Sequence, residues 1–318
     1  MREKIDDANT TSEPHDDVQN SLLKGVDDVP AKKKVLVTGA SGLVGGLVIK
    51  HLGSKYELAA LNRRCVDGIV TLQADVANMT AIRPAFKGVH TVLHLSAATH
   101  GFIEDWDEQI RVTAGGAVNV LRAAQEAGVK RVVLMSTGST MCGYEWYEGS
   151  PYGALAQGDY DAAIKNAGKS AGTAKAGDSR PWGMLTPRDP PRPDSPYGAA
   201  KVFSEVAGRW FADKHGMSVI CIRLGAVLDT NRPKLVRHIP GWLDQMDAVR
   251  MIEACIDAQE SVKFDIFDAI SDNSTRWRDI SHAEKVIGWK PRASSDQFNP
   301  DELRKSPGQN LPKWSKSK

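Results

Sequence analysis

The sequence predicts an α/β fold, a doubly wound parallel sheet with helices on both faces and a small C-terminal part beside it. Two observations predict this fold. Short β-rich runs recur along the chain from KVLVT (34–38) onward, and apolar-periodic helical segments separate several of them. Strands that alternate with helices form a parallel sheet that is covered on both faces. The predicted domain spans residues 33–298.

Six further runs are typical of strands. The clearest helix between them covers roughly residues 104–127, where apolar residues keep helical spacing as far as Gly128, a residue type that commonly ends helices. The strand-like runs are ELAAL (57–61), IVTL (69–72), HTVLHL (90–95), RVVLMS (131–136), MSVICIRL (217–224) and KFDIF (263–267).

The composition indicates an ordinary globular protein. The 318 residues are 41% hydrophobic and 25% charged, with a net charge of +2. No basic stripe is interleaved with aromatic residues, so we expect no nucleic-acid partner. No apolar run approaches the length of a membrane span. The four cysteines are scattered without metal-ligand spacing, which favours reduced thiols, a cytoplasmic location and no metal site.

Three segments lie outside the predicted core pattern. Residues 1–32 are predicted to be a disordered tail, because the first thirty residues carry eight acids against three bases and few large apolar groups. Residues 299–318 read as a flexible basic tail. Residues 144–186, rich in Gly, Ala, Ser and Asp, are too long for an ordinary connection. They are either a lid over a pocket or a surface excursion with a short helix of its own.

A glycine-rich turn follows the first strand, in the pattern of the Rossmann dinucleotide-binding motif. Glycines directly after an apolar strand and at the opening of a helix let the backbone approach a pyrophosphate at the helix N-terminus. A tight turn without a ligand is the alternative. The residues predicted to bind the dinucleotide here are Gly39, Ser41, Gly42, Leu43, Val44 and Gly45.

The end of the second strand favours NADP over NAD. An NAD-binding protein usually places an acid there, whereas this strand ends in Asn62, Arg63 and Arg64. Two guanidinium groups could clamp a 2′-phosphate in bidentate fashion, although two solvated arginines would look the same in sequence. Further contacts to the dinucleotide are predicted after the third and fourth strands, from Asp75, Val76, Leu95, Ser96 and Ala97.

The segment RPDSPYGAAKVFSE (192–205) predicts a helix that carries reactive side chains. Ser195 can cap it and Pro196 suits its first turn, so Tyr197 and Lys201 fall at positions i and i+4 on one face. The fifth strand ends in a hydroxyl residue, Thr137.

Taken together, TGxxGxxG, HLSAA, this strand end and YxxxK resemble the extended short-chain dehydrogenase/reductases, the NAD(P)-dependent epimerase/dehydratase superfamily. The resemblance covers about residues 33–298, and its pattern is most similar to uronate dehydrogenases. It implies that Tyr197 transfers a proton, that Lys201 lowers the pKa of Tyr197 and holds the nicotinamide ribose, and that a hydroxyl bonds the reacting oxygen. Thr137 is the first choice for that hydroxyl and Ser139 the second.

The resemblance also implies substrate contacts, mainly from residues 225–262 and 270–298. Arg237 would grip a carboxylate or vicinal hydroxyls, unless it is a surface arginine, and Thr99 and Ser139 would offer hydroxyl groups. Gly138 and Ser139 stand where uronate dehydrogenases carry Asn and His, which puts uronate itself in doubt.

The function that we expect is hydride transfer between NAD(P) and C1 of a small sugar or sugar acid, in either direction. Only 18 residues separate Arg223 from Trp242, where the next helix is expected to be under way, and this leaves little room for a nucleotide-binding lobe. An epimerase with a tightly held dinucleotide on a small sugar and a non-catalytic NADP-binding sensor are the alternatives.

Relatives often dimerise through two long helices, here about 104–127 and 196–214, so a homodimer is expected. Four apolar residues of the second helix could serve that contact or the core, and we favour the core. They are Phe203, Ala207, Trp210 and Phe211.

Overall fold

The computed structural model describes residues 32–99, 101–167 and 180–305, and a seven-stranded parallel sheet lies at its centre. The predicted parallel α/β fold is confirmed, with every predicted strand present to within two residues. The strands are β1 (Lys34–Thr38), β2 (Glu57–Asn62), β3 (Val70–Gln73), β4 (Thr91–His94), β5 (Arg131–Thr137), β6 (Ser218–Leu224) and β7 (Phe264–Ala269).

The strand order is β3-β2-β1-β4-β5-β6-β7, so the sheet is wound outward in both directions from β1 and β4. In open α/β sheets, ligands bind beyond the carboxyl ends of the strands at this reversal point. The carboxyl ends of β1 and β4 are in register, with Thr38 opposite His94. The topology therefore sets the place where a ligand site is expected.

Helices cover both faces of the sheet, and several shorter ones carry the loops. The described helices are α1 (Leu43–Leu52), α2 (Met79–Ile82), α3 (Trp106–Glu108), α4 (Gly115–Glu126), α5 (Pro151–Ala156), α6 (Tyr160–Lys165), α7 (Pro196–His215), α8 (His238–Gly241), α9 (Gln245–Asp257), α10 (Ser281–Ile287) and α11 (Pro300–Leu303). Within residues 32–99, 101–167 and 180–305, no helix combines the length and the apolar character that crossing a membrane requires.

Each face of the sheet has its own apolar core. Val35 and Val37 of β1 pack with α1 and α9, whereas Leu36 between them packs with α4 and α7. This split follows from the two-residue period of a strand. Because both faces are buried, the strands are continuous apolar runs rather than alternating ones.

The long helix predicted over 104–127 has an irregular middle. A π-helical segment, Gln109–Ala114, joins α3 to α4, and Gly128 at φ +72° follows the end of α4. The Thr113 hydroxyl donates to Gln109 Oε1 at 2.6 Å and accepts the amide of Ala98 at 3.0 Å. The Gln109 side chain donates in turn to the Ala98 carbonyl, so the segment is tied to the loop after β4.

Two sequence expectations about helices are wrong. The helix expected to be under way at Trp242 begins at Gln245, because Asp244 Oδ1 accepts the amides of Met246 and Asp247 and so caps α9. In α7, Phe211 is buried as expected, but Phe203 is 52% and Trp210 is 55% exposed. The helical period turns positions 203 and 210 to one side and position 211 to the sheet. Dimer formation stays a prediction.

The described part of the 144–186 insert forms α5 and α6 over a third apolar cluster. Tyr144, Tyr152, Leu155 and Trp182 pack there with Trp277 from the C-terminal part. The lid and the two tails stay predictions, since residues 1–31, 168–179 and 306–318 lie outside the described residues. The described start of the predicted basic tail, residues 299–305, contains α11, and Arg304 Nη2 donates to the Gly158 carbonyl at 3.0 Å.

Candidate active site

The turn after β1 leaves no space for side chains at two of its glycines. A Cβ atom on Gly39, which has φ +70°, would lie 2.9 Å from the amide nitrogen of Ser96. A Cβ atom on Gly45 would lie 2.5 Å from the carbonyl oxygen of Ala40. The N-cap of α1 is Gly42, which offers no side-chain acceptor, and the first turn of α1 carries no acidic residue. The amides at this helix start are therefore available to an anion, as a pyrophosphate cradle requires.

The ends of β1 and β4 are joined beside this turn. The amides of Leu95 and Ser96 donate to the carbonyl and the hydroxyl oxygen of Thr38 at 3.1 and 3.2 Å. Thr38 Oγ1 and His94 Nδ1 share a hydrogen bond of 2.8 Å. Burial lowers the pKa of His94 to about 3, so this imidazole is neutral at pH 7. Leu95, Ser96 and Ala97 thus follow a rigid strand end next to the glycine turn.

The end of β2 presents two exposed cations, Arg63 and Arg64, and the charge of Arg63 acts on the carboxylate of Asp75. Ser41 Oγ donates to Asn62 Oδ1 at 3.3 Å, and Asn62 Nδ2 donates to the Arg64 carbonyl at 2.8 Å. The Asn62 side chain therefore holds the strand end in shape, while Arg63 and Arg64 are exposed. Binding of a 2′-phosphate by these two arginines stays a prediction.

Asp75 and Val76 are both engaged by neighbouring groups. Asp75 accepts the Ala77 amide at 2.9 Å and the Arg111 guanidinium at 3.1 Å. Burial opposes ionisation of Asp75, but these two donors hold its pKa below the ordinary value. Val76 packs so closely on Gly116 that a Cβ atom there would lie 2.7 Å from the valine methyl group. The contact of Asp75 with Arg111 was not predicted from the sequence.

The structure brings Tyr197, Lys201 and Thr137 together at the carboxyl end of β5. Ser195 caps α7 by accepting the Gly198 amide at 3.2 Å, and Pro196 opens its first turn. The Lys201 ammonium donates to the Met135 carbonyl at 2.6 Å and lies 5.8 Å from the centre of the Tyr197 ring. All three side chains come from two elements packed directly on each other.

Burial dominates the electrostatics of this trio. It raises the pKa of Tyr197 to about 12, although the Thr137 side chain acts to lower it. It also lowers the pKa of Lys201 to about 8, against the pull of Cys221 and Glu205. In the chain by itself the phenol is therefore protonated at neutral pH, and the expected lowering of its pKa by Lys201 stays a prediction.

A buried ion pair, missed in the sequence, anchors α7 to the sheet. Arg223 on β6 donates to both carboxylate oxygens of Glu205 at 2.9 and 2.8 Å, and Ser136 Oγ donates to the same carboxylate at 2.6 Å. Glu205 lies one turn after Lys201 on α7. A bidentate pair of this kind fixes orientation, so it sets the rotation of the helix that carries Tyr197 and Lys201.

A cavity of about 190 Å³ adjoins Thr137. Among its lining residues are Thr137, Ser139, Glu145, Asp194, Arg237 and Arg278. Three of the sequence-predicted site residues, Thr137, Ser139 and Arg237, therefore meet in one place. Thr99 is not part of this lining, and its neighbour His100 lies outside the described residues.

Ion pairs unforeseen from the sequence shape this cavity. Arg237 Nη2 lies 2.9 Å from Glu145 Oε2 and 3.7 Å from Asp194 Oδ2. Burial raises the pKa of Glu145, and the Arg237 guanidinium offsets this only in part. Arg278 pairs with buried Asp268 at 3.1 Å. A Cβ atom on Gly138 would lie 2.7 Å from the Arg278 guanidinium, which explains the small residue at this position.

Clusters suited to metal binding are absent from the described ranges, since no three His, Cys, Asp or Glu side chains there are arranged to hold an ion.

Comparison with known proteins places these features in a family. The model of the NAD dependent epimerase/dehydratase family matches residues 35–288. The NAD-dependent glucose-6-phosphate dehydrogenase of Haloferax volcanii is 28% identical, over 83% of this chain and 95% of that protein. The L-arabinose 1-dehydrogenase (NAD(P)(+)) of the same organism is 29% identical, over 82% and 97%.

Uronate dehydrogenases are similar in sequence and in fold. The enzyme of Agrobacterium fabrum is 27% identical, over 84% of this chain and 87% of that protein. The crystal structure of uronate dehydrogenase from Agrobacterium tumefaciens superposes with a TM-score of 0.67 at 24% identity, covering 90% of this chain and 92% of that one. The family model spans most of the chain, and this protein belongs to the NAD dependent epimerase/dehydratase family.

Proposed function

We propose that this protein is an NAD(P)-dependent dehydrogenase that oxidises a small sugar or sugar acid at C1. One observation carries the proposal: Thr137 contacts Tyr197 and also lines the cavity. Tyr197, the residue proposed to transfer the proton, therefore contacts a residue of the cavity wall at the carboxyl edge of the sheet, where the glycine turn also lies. The relatives named above, which are dehydrogenases of sugars or uronates, support the same class of reaction.

The residues at the reversal point of the sheet fit a dinucleotide. Gly39 and Gly45 exclude side chains where a pyrophosphate would approach, and the start of α1 offers free amides. A bound dinucleotide supplies the hydride acceptor. Exposed Arg63 and Arg64 favour the 2′-phosphate of NADP. The proposed cofactor-binding residues are Gly39, Ser41, Gly42, Leu43, Val44, Gly45, Asn62, Arg63, Arg64, Asp75, Val76, Leu95, Ser96 and Ala97, together with Tyr197 and Lys201.

In the proposed reaction, Thr137 and Tyr197 hold the anomeric hydroxyl of the sugar. Tyr197 takes the hydroxyl proton, and loss of hydride from C1 leaves a lactone. The Lys201 ammonium, held by the Met135 carbonyl, favours the phenolate through its charge. Holding the hydroxyl against a prepared acceptor converts a bimolecular proton transfer into a step within the complex. The same residues allow carbonyl reduction in reverse.

The cavity suits a single sugar ring. Its volume of about 190 Å³ is below the range common for drug-sized ligands. The segment between β6 and α9 is short, and Gly225 and Ala226 at its start already line the cavity. A nucleotide sugar would need a further lobe, so a small substrate is the better match.

Initial rates of NADP⁺ and NAD⁺ reduction test the proposal. The panel holds free aldoses, aldose 6-phosphates, galacturonate and glucuronate, and we expect turnover of at least one of them. Dinucleotide binding without turnover of any sugar would contradict the proposal and favour a sensor. A dinucleotide that stays bound through purification, with sugar epimers as products, would favour an epimerase.

A further inference from the structure

Each arginine that lines the cavity is paired with a carboxylate of the protein itself. Arg237 pairs with Glu145 at 2.9 Å and lies 3.7 Å from Asp194, while Arg278 pairs with Asp268 at 3.1 Å. Two guanidinium groups are thus matched by three carboxylates. Among the described residues that line the cavity there is no other arginine and no lysine. A substrate carboxylate would therefore meet no unmatched cation among these lining groups.

The neighbouring histidine does not change this balance. His238 lines the same cavity next to Arg237. Burial lowers the pKa of His238 to about 4, and the nearby Arg237 and Lys234 add to the shift. Its imidazole is neutral at pH 7 and contributes no positive charge.

Glu145 is held firmly in its pairing position. It ends the turn Cys142–Glu145 and is 6% exposed. Helix α5 packs on its backbone so tightly that a Cβ atom on Gly153 would lie 2.2 Å from the Glu145 carbonyl oxygen. If a substrate anion took Arg237 for itself, Glu145 would be left as a buried and unpaired carboxylate, which is strongly unfavourable.

The same groups suit hydroxyl groups well. Glu145 and Asp194 offer carboxylate oxygens, and Asp194 is oriented by the Ser195 hydroxyl, which donates to Oδ1 at 2.9 Å. Arg237 adds donors from the same wall. A sugar hydroxyl both donates and accepts, so it can bond to either partner without breaking the ion pair.

We propose, on the basis of the function proposed above, that the substrate is an uncharged aldose rather than a uronate or a sugar phosphate. Glu145 determines this selectivity by neutralising Arg237. The insert that begins at residue 144 thus contributes the residue that sets the charge preference of the site.

The specificity constant kcat/KM, measured with saturating dinucleotide, tests this proposal. The substrates are L-arabinose, D-galactose and D-glucose against D-galacturonate, D-glucuronate and glucose 6-phosphate. For the unmodified protein we expect the best aldose to exceed the best anionic sugar by about tenfold or more. Glu145→Gln keeps the shape of the side chain and removes its charge. We expect it to reduce this ratio about tenfold, chiefly through a lower KM for the anionic sugar.

Glu148→Gln is the matched control, because Glu148 is an exposed acid of the same insert that is not part of the cavity lining. Its ratio is expected to stay that of the unmodified protein. Preference of the unmodified protein for an anionic sugar would overturn the inference and leave the proposed function intact. This measurement on the unmodified protein does not depend on whether a variant folds. An unchanged ratio in Glu145→Gln would also overturn it. Absence of turnover on every sugar would overturn both proposals.

Discussion

The two ends of the candidate site differ in the groups that form them: main chain at one end and charged side chains at the other. The dinucleotide end is made of main chain, with Gly39 and Gly45 clearing space and the amides of α1 left available. The cavity end is made of charged side chains, such as Arg237 and Glu145, which are 92 residues apart in sequence. A main-chain cradle serves any substrate of the family, whereas ion pairs between distant segments can change independently. We therefore expect substrate specificity to be set by the second region.

The largest effect is expected where the two regions meet, at Tyr197. Tyr197→Phe removes only the phenolic oxygen, and we expect kcat for sugar oxidation to fall by about 10³, within the range for general acid–base groups. Thermal stability should fall by no more than about 1.5 kcal/mol, because the ring and its packing remain and one hydrogen bond to Thr137 is lost. Full turnover of the variant would contradict the assignment of proton transfer to this residue.

The pH dependence of oxidation follows from the same residue. Burial raises the pKa of Tyr197 to about 12, so proton acceptance needs a form that is scarce at neutral pH. We expect kcat/KM for oxidation to rise by up to about tenfold for each pH unit between pH 6 and pH 8. Lys201, whose pKa burial lowers to about 8, loses above that pH the charge that favours the phenolate, so the rise should flatten.

Rates of oxidation and of reduction, measured from pH 6 to 8, test whether oxidation becomes faster as the pH rises. Reduction uses the protonated phenol and should not rise in the same way. An oxidation rate that falls steadily from pH 6 to 8 would rule out Tyr197 as the proton acceptor.

Two adjacent glycines of α1 test the main-chain cradle. A Cβ atom on Gly45 would meet the backbone of Ala40 at 2.5 Å, whereas one on Gly46 would meet nothing within 4 Å. We expect Gly45→Ala to cost about 1–3 kcal/mol of unfolding free energy and to weaken dinucleotide binding. Gly46→Ala should be neutral or stabilising by up to about 1 kcal/mol. Urea unfolding and dinucleotide titration separate the two, and equal effects would refute a packed cradle.

The smallest expected effect concerns the arginine side chains that follow β2. Replacing Arg63 and Arg64 together by Ala should raise the Kd of NADP⁺ about tenfold, the size of one lost charge-assisted contact. The Kd of NAD⁺ should change little and serves as the internal control. Equal changes for both dinucleotides would show that these arginines do not read the 2′-phosphate.

Features carried by local patterns were predictable from the sequence. The strands follow from apolar runs that are buried on both faces, and the glycine turn from its place between β1 and α1. The pairing of Tyr197 with Lys201 follows from their one-turn spacing. Each of these depends on residues within a few positions of one another.

Features made by tertiary contacts were not predictable in this way. Glu145, Asp194 and Arg278 reach the cavity from three separate segments, and no spacing rule links them to Arg237. The exposure of Phe203 and Trp210 depends on which side of α7 faces the sheet. Buried Glu205 does stand one turn from Lys201, but its partner Arg223 lies on a strand 18 positions on.

An aldose that carries deuterium at C1 distinguishes oxidation at C1 from the alternative reactions. Incubated with dinucleotide and protein, such a sugar should pass its deuterium to the reduced dinucleotide and leave a lactone without the label. Reduced dinucleotide that contains no deuterium, or an epimer recovered with the label still at C1, would contradict oxidation at C1.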